Sequence, residues 1–160
     1  MPSPSIRRPA LVLVLTLAAC GGGSARPQAA VNADFRELQA AEAVLSMTKK
    51  ILALAPPAEG DAKALAAYAN TVSRYVQIKE EQAHLAKTEL LVLWTDYFKP
   101  VHLEQYPDLH DIFWKAAKLC SAVKVSVSLE DAEALMETCE KVHDIFWATK
   151  GRDVAYYKAA

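Results

Sequence analysis

An all-helical fold, an antiparallel up-down-up-down four-helix bundle, is predicted by three observations. Beyond residue 23 the 160-residue chain holds only two glycines, Gly60 and Gly151, and alanine, leucine, lysine and glutamate dominate it. Apolar residues recur at helical spacing through four successive segments. Proline, glycine or serine marks the joints between those segments, where helices end or restart. The length suits one domain with a sizeable core. A formal net charge of −1 argues against nucleic acid or an anionic lipid surface as an electrostatic partner.

Residues 1–19 read as an export leader. Arg7 and Arg8 are its basic start, and Ala10 to Ala19 is a short apolar stretch. About ten apolar residues fall well short of the ~30 Å of hydrocarbon a membrane-spanning helix must cross. Leu17-Ala18-Ala19-Cys20 resembles the lipobox of bacterial lipoproteins. That resemblance implies that Cys20 is lipidated and becomes the first mature residue, and that Gly21 directs sorting to the outer membrane. Residues 20–31, with Gly21-Gly22-Gly23-Ser24, read as a flexible tether. The bundle is expected over 32–152 and a tail over 153–160. The expected location is the periplasmic face of a bacterial membrane, with the lipid on Cys20 as the membrane contact.

In the first helix, expected from an Asn32 or Asp34 cap to about Ala55, Leu38, Ala41, Val44, Leu45, Thr48, Ile51, Leu52 and Ala55 share a stripe. Pro56-Pro57 ends it, and Asp61 restarts the chain as an N-cap. From 62 to 98 nothing interrupts the helical pattern. Two apolar arcs, Leu65 to Val76 and Ala83 to Tyr97, flank the polar run Gln77 to Gln82. At 1.5 Å per residue this helix is about 55 Å long against about 35 Å for the first. It is therefore long or kinked: it either overhangs its partners or bends at the polar run. Residues 99–106 read as a loop. The third helix, 108–123, buries Leu109, Ile112, Phe113, Ala116, Leu119, Cys120 and Val123. Ser128 with Asp131 caps the fourth, whose inner stripe is Ala132, Leu135, Met136, Cys139, Val142, His143 and Phe146, and Gly151 stops it.

His110-Asp111-Ile112-Phe113-Trp114 recurs as His143-Asp144-Ile145-Phe146-Trp147. At 100° per residue His143 lies about 40° from the centre of its stripe and His110 roughly 120° from its own, so the two belong to different faces. A disulfide between Cys120 and Cys139 is disfavoured by an axial offset of roughly 10 Å across the turn, against the ~7 Å limit between alpha carbons.

Cys139-Glu140-Lys141-Val142-His143 on the last helix of such a bundle resembles the degenerate end of a Cys-x-x-Cys-His signature. That is the pattern of the cytochrome c-prime family, whose b-type relatives keep the terminal histidine without cysteines. The resemblance implies haem, with His143 as axial metal ligand, Cys139 as a single thioether and Leu38 facing the open side of the iron. Val142 in place of the second cysteine is a departure that puts ordinary covalent attachment in doubt. Two readings follow. One is a lipid-anchored haem protein for electron transfer or small-gas binding with a redox partner. The other is a haem-free bundle lipoprotein serving as a binding or structural module, with Trp114, Tyr156 and Tyr157 as candidates for its partner face. An enzyme is not expected, because no nucleophile-base pair, phosphate loop or paired carboxylates stand out.

Overall fold

The computed structural model describes residues 35–157. The leader, Cys20, the tether, the Asn32 and Asp34 caps and the last three residues lie outside the described residues. Among the described residues five α-helices form: α1 (Arg36–Ala53), α2 (Ala62–Val92), the single turn α3 (His102–Gln105), α4 (Leu109–Val125) and α5 (Leu129–Thr149). A π-helical turn, Leu93–Tyr97, follows α2 directly. No strand occurs among the described residues.

The long helices α1, α2, α4 and α5 make the bundle. Polar pairs and one aromatic contact fix its directions. Arg36 at the start of α1 meets Glu89 late in α2 (2.8 Å), and along α4 the order is reversed again, with Lys79 midway through α2 meeting Ser126 at the end of α4 (3.0 Å) and Trp94 just past α2 meeting His110 at its start (2.8 Å). Lys141 late in α5 reaches Asp108 just before α4 (3.3 Å). Phe35, at the start of α1, packs edge-on against His143 near the end of α5 (4.6 Å between ring centroids). Each helix is thus antiparallel to the next, and the last closes on the first. The shared core comprises Leu38, Ala41 and Val44 of α1, Ala83, Ala86 and Leu90 of α2, Ile112, Phe113, Ala116 and Val123 of α4, and Leu135, Cys139 and Val142 of α5.

The helix ends follow local chemistry. Asp61 accepts the Ala64 amide (2.9 Å) at the start of α2, and Ser128 accepts that of Asp131 (3.1 Å) at the start of α5, each satisfying an amide the helix leaves open. α5 runs out into Gly151, which takes φ +65°, a conformation that spares glycine the usual Cβ clash. Residues 102–105, expected as loop, form α3.

The length of α2 resolves as an overhang. The helix is continuous through the polar run, yet it buries nothing before Lys79, and Leu65 remains 57% exposed. The polar run is unbroken because Lys79 within it has a structural task. Its ammonium, 1% exposed, donates to the carbonyls of Val123 and, at 3.0 Å, Ser126 at the end of α4. Those acceptors are among the carbonyls a helix terminus cannot satisfy by itself, and a cation is favourable there.

Candidate functional site

The residues singled out on the last helix gather at one end of the bundle, where α1 begins, α5 ends and the π turn folds over. Their inward position follows from the stripe of α5: Leu135, Cys139, Val142 and His143 are all buried. Leu38 is fully buried across from them.

His143 is buried as expected, but it is wedged rather than set beside a void. The indole N–H of Trp147, one turn later, donates to its Nε2 (3.2 Å), and Asp144 Oδ1 lies 3.3 Å from its Nδ1. With Nε2 accepting, the neutral ring carries its proton on Nδ1 and points it at Asp144. Phe35 closes one side, and Tyr156, its ring centroid 6.0 Å away, covers another. Both nitrogens are used, and the lone pair an iron would need is the acceptor of the indole.

His110, its echo, is exposed and accepts the Trp94 indole at Nδ1 (2.8 Å). The two histidines share a sequence and a kind of partner but not a face. His102 Nδ1 accepts the backbone amide of Lys99 (3.1 Å). His84 lines a cleft of about 410 Å³ between α2 and α4 together with Lys87 and Lys124, whose positive charges oppose cation binding.

Cys120 and Cys139 are both buried free thiols, as the axial offset argues. Burial pushes Cys120 up to about 12 and Cys139 well above its ordinary value, with Cys120, Glu37 and Glu140 adding to the rise. Neither thiol is therefore disposed to become the thiolate that binds metals or attacks electrophiles.

Sequence reasoning passed over two features here. Glu37, only 4% exposed, leaves Oε1 without a hydrogen-bond partner among the described residues. Desolvation raises its pKa from 4.5 to about 7, and the charge of Glu89 adds to the shift. The signal was available, since Glu37 precedes Leu38 on the inner arc. The second is the π turn, which the plain helical pattern concealed. It brings Tyr97 to Thr149 (2.7 Å between hydroxyls) and against Phe146 (4.6 Å between centroids), with Lys150 over both rings. Such turns recur at functional sites.

Four antiparallel helices around one apolar core, with a hydrogen-bonded histidine and two protonated thiols inside it, define a small all-helical bundle protein. Residues 29–150 match the family model described as nickel-containing superoxide dismutase. The chain belongs to the nickel-containing superoxide dismutase family. Among curated proteins it is similar to superoxide dismutase [Ni] of Streptomyces seoulensis, 44% identical over 77 residues, which are 48% of this chain and 59% of that one. The corresponding protein of Streptomyces coelicolor is 41% identical over 78 residues, 49% of this chain and 60% of that one. The chain thus spans about three fifths of the length of the curated relatives it matches. Among solved structures, native nickel superoxide dismutase at 1.30 Å superposes with a TM-score of 0.61 at 30% identity, covering 82% of this chain and 98% of that one. An apo form gives 0.62 at 32% identity, covering 73% and 95%.

This family overturns the cytochrome c-prime and b-type assignment, and with it haem, the axial role of His143, electron transfer and gas binding. Five residues around Cys139 resembled a haem signature, whereas the family match runs along 29–150, and the wedged imidazole leaves no open side for a macrocycle. The haem-free binding or structural lipoprotein falls as well. Tyr156, one of its candidate partner residues, instead donates to Glu42 (2.8 Å) inside the fold. The expectation of a non-enzyme is also overturned, because the matched relatives are named superoxide dismutases. It rested on looking for nucleophiles and acid-base pairs, which a one-electron redox reaction does not require.

Nickel is the metal this family implies, and the described residues do not fit it. Among them no cluster of three or more histidine, cysteine, aspartate or glutamate side chains is placed to hold a metal ion. The two thiols are held protonated, and three of the four histidines already spend a ring nitrogen as a hydrogen-bond acceptor.

Proposed function

We propose that this chain takes part in removing superoxide by dismutation, in which two superoxide anions and two protons become one dioxygen and one hydrogen peroxide. The observation that carries the reading is the family match across 29–150, which takes in every helix of the bundle. It is supported by a core of the same architecture as the named relatives. Dismutation needs a one-electron carrier that superoxide can both reduce and oxidise. The described residues contribute the frame for such a centre: a bundle with a buried apolar core whose aromatic end lies where residue 35 enters α1.

The leader supports a place for this activity. Arg7, Arg8 and the Leu17 to Cys20 segment favour export and attachment at the periplasmic face of a membrane through Cys20, where superoxide produced outside the cytoplasm would be met. Full-length protein from nickel-supplemented cells, assayed by suppression of cytochrome c reduction in a superoxide-generating mixture, tests the function. Suppression proportional to protein and abolished by heat is expected. A rate indistinguishable from buffer at every protein concentration would remove the reading.

A further inference from the structure

We infer that the folded bundle, residues 35–157, is a nickel-free frame in which neither thiol and none of the four histidines ligates nickel. The inference rests on the family assignment, since only there is nickel expected, and it follows from taking each soft or imidazole donor in turn.

Nickel(II) in a protein is held by deprotonated sulfur or by nitrogen in a planar or tetragonal arrangement, so several donors must converge with free lone pairs. Cys120 projects from α4 and Cys139 from α5, both with no solvent exposure. The groups felt by Cys139 are another thiol and the carboxylates Glu37 and Glu140, with no imidazole among them. Removing two thiol protons in that apolar interior would place like charges together without water. The nearest buried imidazole, His143, lies one turn along α5, but its Nε2 is the acceptor for Trp147. Turning it toward the thiols would strand that indole N–H, at a cost of about 1–3 kcal/mol for a buried donor. His110 and His102 are tied to Trp94 and to the Lys99 amide, and His84 stands with two lysines. No pair of these four meets a thiol among the described residues.

The chain has three cysteines and four histidines. All four histidines and two of the cysteines lie within the bundle, so Cys20 is the single sulfur ligand type elsewhere apart from methionine. The described bundle therefore offers nickel no set of soft and imidazole donors.

The test is nickel content, read separately from activity. Full-length wild type, a Cys120→Ser, Cys139→Ala double variant and His143→Gln are purified from nickel-supplemented cells and analysed by plasma mass spectrometry. Nickel per chain in each variant is expected to equal wild type, whatever the wild-type content, including none. A fall of about twofold or more in either variant, from stoichiometric wild type, overturns the inference. Because a core variant can misfold, wild type is also alkylated with and without nickel. Unchanged modification rates at Cys120 and Cys139 support the frame, and protection of either thiol by nickel overturns it. A dismutase assay on the same samples separates the two proposals. Nickel-loaded protein without activity ends the functional reading and leaves this one standing. Activity and nickel lost together on changing Cys139 do the reverse.

Discussion

The carboxyl of Glu37 ties the stability of the fold to pH just below neutrality. Its pKa is about 7 folded against 4.5 as the ordinary value, so between those pH values the unfolded chain gives up a proton that the folded chain keeps. Folded protein then binds more protons than unfolded, and stability falls as pH rises through that window. The total is about 3 kcal/mol, at ~1.4 kcal/mol per unit of pKa. Glu37→Gln should flatten the denaturant midpoint between pH 4.5 and 7 and leave the variant more stable than wild type at pH 8. A wild-type midpoint that does not decline across that range would refute the assignment. Lys79 poses the opposite case, because its charge is needed where it is buried. Lys79→Met keeps the length of the side chain but strands the carbonyls of Val123 and Ser126. Urea unfolding should register a loss of about 2–3 kcal/mol, the cost of removing a charged donor from buried acceptors. Glu37 and Lys79 were hidden for one reason: charged residues on a helical wheel are assigned to water by default. Spacing flags Glu37, which shares a face with Ala41, Val44 and Thr48, whereas for Lys79 only the crossing of α4 shows that it is covered.

At the scale of helices, the elements themselves were legible. The caps at Asp61 and Ser128 and the stop at Gly151 stand where their chemistry places them, because each depends on residues within one turn. Replacing Ser128 with alanine should cost about 1 kcal/mol, the usual worth of an N-cap oxygen, and thermal unfolding monitored by circular dichroism would measure it. The order of the helices around the bundle was legible too, since short joints leave antiparallel neighbours as the economical arrangement. What failed was the step from a helix to a cofactor. Cys139 and His143 face inward as their spacing requires, but inward-facing says nothing about room. Phe35, which fills that room, sits outside the stripe from which the argument was built, and Trp147 was taken for an echo of exposed Trp114. Its burial follows from packing at 5.9 Å between ring centroids against Phe35, a contact between opposite ends of the chain that no local pattern encodes.

For the whole molecule, the mismatch in helix length should govern how the fold opens. The four-helix section is held by α2 from Lys79 onward, where Ala83, Ala86 and Leu90 have no exposure at all. Before Lys79, α2 buries no residue, and its Thr71 and Ser73 hydroxyls bond only to carbonyls of their own helix. Apolar burial is the main stabilising contribution, about 1.5–3 kcal/mol for each fully covered large side chain, so the overhanging half of α2 rests on far less of it. A helix with one end packed and the other in water frays from the wet end, and local opening there need not await global unfolding. Amide hydrogen exchange should consequently divide α2 into two zones. Residues 62–76 should exchange through local opening with a free energy well below that of the whole fold, whereas 83–92 should exchange only with α4 and α5. Adding the destabilising Lys79→Met change should shift the protected zone of α2 and leave the rate of the overhang nearly unchanged. Uniform protection along the helix, or equal acceleration of both halves in the variant, would show that the overhang is secured by something other than the bundle.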